Sequence, residues 1–221
     1  GISSNDFLYP VKVNIPSDVK IKSIAAGKRH SLALTENGEV YIWGYTKVNN
    51  IVYDIVTPKL VKLDSDNTQN LTDVISIAAG DDVSYVVKAD GTVWSWGHNG
   101  TSGKLGINKY ESMYSVAKYG KENAVQVVGP YAGGYLNNAV SVRTDGDSVY
   151  VVKADGTVWS WGSNMYGVLA NETNVNNDTR RGYPLQVYKG DGYSADKYLK
   201  NIVDIQVGAN NDETTVIALA R

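Results

Sequence analysis

The chain has 221 residues, 43% of them hydrophobic and 20% charged. That balance is too apolar for a disordered chain, and no apolar run approaches the ~18 residues of a membrane-spanning helix. Twenty-one basic against 23 acidic residues give a net charge of −2, which supplies no basic excess for binding nucleic acid or anionic lipid, while zero cysteines and two histidines (His30 and His98) leave neither a metal nor a cofactor site to expect.

Taken in chain order, the first predicted element is residues 9–14, Tyr-Pro-Val-Lys-Val-Asn, which reads as the outermost strand of a sheet. A unit over about 19–63 follows, with a small-residue strand ending Ile24-Ala25-Ala26-Gly27, a second strand from Ser31, the pair Asn37-Gly38, and a strand reaching Trp43-Gly44. The same order returns over about 72–129, with Ile77-Ala78-Ala79-Gly80, Asp90-Gly91 and Trp96-Gly97. It returns again over about 139–188, where residues 149–162 differ from residues 84–97 only in their first letter. A partial copy over 202–220 has two strands. The glycines Gly44, Gly97 and Gly162 lie 53 and 65 residues apart, so the middle of the repeat is constant and its connections vary.

Within each copy the period is two: Trp94 and Trp96 alternate with Val93, Ser95 and Gly97, as in a strand. Asn-Gly and Asp-Gly between apolar runs are hairpin signals. A fourth strand is expected at Pro58–Leu63, at Ala124–Val128 and at Pro184–Tyr188. Four short antiparallel strands per unit, repeated, predict an all-β chain of propeller blades, about three and a half of them.

The pattern of small residues and Gly, then S-x-A-L, then N/D-G-x-V-Y/W-x-W-G, resembles the repeat of the regulator of chromosome condensation family over most of residues 10–221. The family's N-x-x-G-Q-L-G stretch is kept in part as Asn99–Gly106 and as Asn164–Leu169. The resemblance implies a seven-bladed propeller and protein partners, since the family's propellers include a guanine-nucleotide exchange factor and bacterial enzyme inhibitors. No residue ties this chain to a GTPase. About half a ring is present, to be completed by missing sequence or by self-association, the N-terminal strand of one copy entering the last blade of another.

The repeated tryptophans Trp43, Trp96 and Trp161 are expected to pack between blades. Binding residues are expected where the repeat varies, on loops held by a rigid scaffold. One set lies in the turns after the first strand of each unit: Lys28, Arg29, Asp81, Asp82 and Asp147, an acidic rim with one basic corner. The other lies in the long insertions: Tyr45, Tyr110, Tyr114 and Tyr166, since tyrosine offers contact area at low rotamer cost. The sequence is therefore read as a non-catalytic propeller scaffold that binds a protein through loops on one face. A carbohydrate or cell-wall binding module is the alternative. The Asn-, Lys- and Tyr-rich, cysteine-free composition suggests a secreted protein or one on a bacterial cell surface.

Overall fold

The structure, a computed structural model, describes residues 11–48, 51–63, 68–110, 119–171, 180–190, 197–210 and 213–221. Its strands are β1 (Ile21–Ala26), β2 (His30–Thr35), β3 (Val40–Val48), β4 (Ile51–Leu60), β5 (Val74–Ala79), β6 (Val83–Lys88), β7 (Val93–Gly97) and β8 (Lys121–Gln126). They continue with β9 (Ala139–Thr144), β10 (Ser148–Lys153), β11 (Val158–Ser163), β12 (Arg180–Gln186), β13 (Ile202–Asn210) and β14 (Glu213–Ala220). Each strand pairs antiparallel with its chain neighbour, giving three four-stranded sheets, β1–β4, β5–β8 and β9–β12, and a two-stranded sheet, β13–β14.

The hairpin between the second and third strands of each four-stranded sheet closes on a glycine. Gly38, Gly91 and Gly156 stand at φ +79°, +80° and +78°, and each N–H bonds the carbonyl three residues back at 2.9–3.1 Å. In the second and third sheets the turn carboxylate adds two bonds. Asp90 accepts from the Thr92 hydroxyl (2.6 Å) and N–H (2.9 Å), and Asp155 accepts from those of Thr157 (2.7 and 3.0 Å). These bonds, the threonine hydroxyl's first, hold both carboxyls below the usual range.

Alternation decides what each sheet buries. On β6, Val86 faces the first sheet, in a core with Leu32, Leu34 and Trp96, while Tyr85 and Val87 face the third, in a core with Val149, Val151 and Trp161. A third core, with Tyr150, Val152 and Ile205, joins the third sheet to β13. The sheets therefore stack in chain order, each gap filled by one apolar cluster.

The Trp-Gly pair has a geometric reason. Gly44, Gly97 and Gly162 have φ of +98°, +110° and +103°, and a Cβ there would lie 2.6, 2.3 and 2.2 Å from the carbonyl oxygens of Arg29, Asp82 and Asp147. Only glycine fits a left-handed residue pressed against that turn. The pairing register between third and fourth strands shifts at the same point in all three sheets. At the innermost turns, Gly27 would place a Cβ 2.2 Å from Gly80 O, and Gly80 one 2.7 Å from Gly146 O, so neighbouring sheets touch backbone to backbone.

Two expectations change. Of the expected outer strand 9–14, Tyr9 and Pro10 lie outside the described residues, and Val11–Asn14 form no strand. An outer strand needs a third strand to bond, and the last sheet has only β13 and β14 among the described residues. The first insertion, read as a loop carrying Tyr45, extends the hairpin instead: β3 and β4 stay paired from Tyr45↔Asp54 to Val48↔Ile51. Its β-branched and aromatic residues favour strand over loop.

Candidate functional site

The turns after the first strands and the connections after the third strands lie at one end of the sheets, with the Asn-Gly and Asp-Gly hairpins at the other. The structure brings most of the expected rim residues together in pairs that cross from sheet to sheet. Lys28 Nζ lies 3.2 Å from Asp81 Oδ2, and Arg29 Nη2 reaches both oxygens of Asp82 at 3.1 and 3.0 Å. Lys104 Nζ lies 2.6 Å from Asp147 Oδ1, its side chain buried and that of Asp147 exposed. The described rim therefore carries ion pairs across both sheet boundaries, the first sheet supplying Lys28 and Arg29, the second Asp81, Asp82 and Lys104, and the third Asp147. Lys104 was missed from sequence because it sits in the Asn99–Gly106 loop.

The tyrosines separate into two roles. Tyr45 lies under the Arg29 guanidinium, 4.5 Å from ring centroid to Cζ, and its N–H bonds Arg29 O at 2.7 Å. The Tyr110 hydroxyl accepts the Gly182 N–H at 2.7 Å, and the Arg180 guanidinium covers its ring at 5.0 Å. Both are packed against the scaffold. Tyr114 lies outside the described residues. Of the three described, Tyr166 alone projects freely, 76% exposed at φ +61°, beside Met165 at 55%. Its turn is tied down from below: Asn164 Oδ1 accepts the Leu169 N–H at 3.0 Å, and Tyr150 donates its hydroxyl to Val168 O at 2.8 Å.

His30 is a structural residue. Its Nε2 and Ser84 Oγ share a hydrogen bond of 2.8 Å across the boundary of the first two sheets. Burial lowers its pKa from 6.5, with Asp82 acting in the opposite sense. Among the described residues, no three His, Asp or Glu side chains gather in a way that could hold a metal ion.

Four-stranded antiparallel sheets stacked by their faces, with loops gathered at one end, define a β-propeller. The regulator of chromosome condensation (RCC1) repeat matches residues 21–48, 74–103 and 155–211, together just over half of the chain. This chain belongs to the RCC1 repeat family. A human RCC1-like G exchanging factor-like protein is 29% identical over 174 residues, 75% of this chain and 35% of the relative. The Arabidopsis thaliana RCC1 domain-containing protein RUG3, mitochondrial, is 26% identical over 160 residues, 70% of this chain and 33% of that protein. The chain thus spans about a third of the length of these curated relatives.

Among solved structures, yeast RCC1 (Prp20) bound to Kap60 matches with a TM-score of 0.64 at 22% identity, covering 91% of this chain and 40% of that one. Human WBSCR16 matches with a TM-score of 0.58 at 21% identity, covering 87% and 43%. The expectation of a bacterial surface or secreted protein is overturned: these relatives come from human, mouse and Arabidopsis, and one is named mitochondrial. A bias toward Asn, Lys and Tyr follows nucleotide composition and surface polarity as well as location, so it carried no address.

Proposed function

We propose that this chain is a non-catalytic propeller scaffold that binds a protein partner through the loops at the rim end of its sheets, with Tyr166 and Met165 as the apolar anchor and Lys28, Arg29, Asp81, Asp82 and Asp147 as the surrounding charged ground. The observation that carries this reading is the Tyr166 turn. A bulky aromatic held at positive φ and left in solvent costs energy in the free protein, and a firmly anchored base keeps it there. Exposed aromatic and methionine side chains on rigid supports are typical contact anchors. Relatives support the kind of partner: the yeast RCC1 structure is a complex with Kap60, and a second yeast structure is titled for binding to Gsp1p and histones. For carbohydrate the support is weaker, because Tyr110 has its ring under Arg180 and its hydroxyl engaged.

The test is photo-crosslinking from a benzophenone amino acid placed at position 166 or, as the far-end control, at position 90, in extract of the source cell. Discrete protein adducts from 166 alone, lost when Met165→Ala is added, are expected. Equal adducts from both positions, or turnover of a polysaccharide panel by the purified chain, would overturn the reading.

A further inference from the structure

After its third strand, the second sheet sends a loop into the gap toward the third. Asn99 Oδ1 anchors it on the Leu105 N–H at 3.0 Å. Three successive carbonyls are then used. Lys104 O accepts the Trp161 indole N–H (2.8 Å) and the Tyr85 hydroxyl (3.1 Å), Leu105 O accepts the Ser95 hydroxyl (2.7 Å), and Gly106 O accepts the Val128 N–H (2.9 Å). The Leu105 side chain is fully buried among these groups. The third sheet repeats the device: Val168 O accepts from Tyr150, Leu169 O from Ser160, and Ala170 O from the Tyr188 N–H.

The first sheet lacks this loop, because its chain runs from Gly44 straight on along the extended hairpin. The residues that would meet the loop have changed to match. By strand register, Leu32 stands where Tyr85 and Tyr150 stand, Ile42 where Ser95 and Ser160 stand, and Lys62 where Val128 and Tyr188 stand. A cavity of about 630 Å³ lies at this place, lined among others by Ile42, Val48, Ile55, Val61, Lys62 and Trp96. That volume is in the range of ligand sites. Two donors at the cavity have no hydrogen-bond partner among the described residues, the Trp96 indole N–H and the Lys62 backbone N–H. Their counterparts in the next gap, Trp161 and Val128, bond carbonyls two residues apart in one tight turn, which the Gly106 N–H closes on Gly103 O at 3.0 Å.

We propose that the gap between the first and second sheets binds a linear peptide of a partner protein in the conformation that residues 104–106 adopt in the next gap. One carbonyl takes the Trp96 indole N–H, the following aliphatic side chain, leucine in both of the chain's own loops, fills the cavity, and the carbonyl two residues on takes the Lys62 N–H. Ile42 has no hydroxyl, so the middle carbonyl receives no side-chain bond, and Leu32 in place of Tyr85 leaves the first carbonyl to the Trp96 indole alone. The site shares no residue with the rim proposed above and stands or falls apart from it.

The probe is the pentapeptide acetyl-Gly-Lys-Leu-Gly-Ile-amide, which copies residues 103–107. It is titrated into the full chain carrying ¹⁵N-indole tryptophan, which gives five indole resonances. The resonance that vanishes in Trp96→Phe is expected to move downfield and saturate. The same peptide with aspartate for leucine leaves it in place. Trp96→Phe weakens binding about 5-fold, the size of one neutral hydrogen bond. Thr46→Phe, which narrows the cavity from the hairpin side, weakens it further, and Tyr166→Ala leaves it unchanged. The comparison of leucine and aspartate peptides on the unmodified chain stands without any variant. An unmoved Trp96 resonance at millimolar peptide, or equal shifts with both peptides, overturns the proposal. So does N-acetyl-leucine amide binding as tightly as the pentapeptide, which would make the cavity a site for small aliphatic molecules.

Discussion

Trp96 and Trp161 occupy the same place in successive sheets, and replacing each with phenylalanine isolates one bond. Both side chains are buried, both sit in inter-sheet cores, and both lose the same atoms on conversion to phenylalanine. The edge-on contact of Trp161 with Tyr85, 6.1 Å between centroids at 80°, is of a kind a phenyl ring also makes. What differs is the indole N–H. Trp161 donates to Lys104 O at 2.8 Å, whereas Trp96 has no acceptor among the described residues. After Trp161→Phe the Lys104 carbonyl still accepts from Tyr85, so no orphaned acceptor adds to the cost. The extra destabilisation of Trp161→Phe over Trp96→Phe is then that of one net hydrogen bond, about 1 kcal/mol. With a urea slope of about 1–3 kcal/mol/M, the midpoint of Trp161→Phe falls roughly 0.3–1 M below that of Trp96→Phe. Paired urea titrations followed by circular dichroism measure this directly. Equal midpoints, or a lower one for Trp96→Phe, would refute the assignment of the two indoles.

Gly27→Ala drives a methyl against Gly80 O, while a Cβ at Gly208 meets nothing within 4 Å. The first is expected to lower the thermal midpoint by roughly 2–12 °C and Gly208→Ala to leave it unchanged or slightly raised, as scanning calorimetry will show. Burial lowers the His30 pKa from 6.5, so the unfolded chain takes up a proton that the folded chain refuses. Its contribution is complete above pH 6.5 and is lost as the pH falls from there toward the lowered folded value; His30→Gln should flatten the stability profile between pH 7 and 5, and parallel profiles would count against it. Tyr110→Phe removes the acceptor of the Gly182 N–H and should cost about 1 kcal/mol of stability while leaving crosslinking from position 166 intact; loss of crosslinking with unchanged stability would return Tyr110 to the binding surface.

The strands and their hairpins were legible because they repeat: Asp-Gly pairs, alternating tryptophans and the Trp-Gly steps mark the same geometry each time. The β3–β4 extension was not, because it breaks the repeat, although Val48, Ile51, Val52 and Tyr53 carried a strand signal of their own. The rim was legible in its residues, and the pairing of its charges was legible too. Lys28 and Arg29 stand 53 residues before Asp81 and Asp82, the same offset that separates Gly44 from Gly97, so opposite charges at equivalent places in successive copies already indicated pairing. The cavity had a sequence trace too: the first copy lacks the Asn-anchored loop and also the Tyr and Ser that hold it, with Leu32 and Ile42 in their place. What no spacing could give was the fate of each tyrosine, since packing and display use the same side chain.

The rim ion pairs are partly exposed, and pairs of this kind add about 0–1 kcal/mol each to stability. Their larger consequence concerns order of assembly. The second and third sheets share almost the same central hairpin, so a folding chain could seat either one beside the first, or two chains could trade them. The turns tell the two apart. Lys28 faces Asp81 in the native neighbour and would face Gly146 if the third sheet took its place. Two copies of the second sheet set side by side would bring Asp81 and Asp82 against their own kind. Lys104, which holds Asp147, has only Val168 as its counterpart one sheet on. Arg29 would still meet an acid, Asp147, so the distinction rests on the Lys28–Asp81 and Lys104–Asp147 pairs, and the charges bias which hairpin follows which where the hairpins themselves do not.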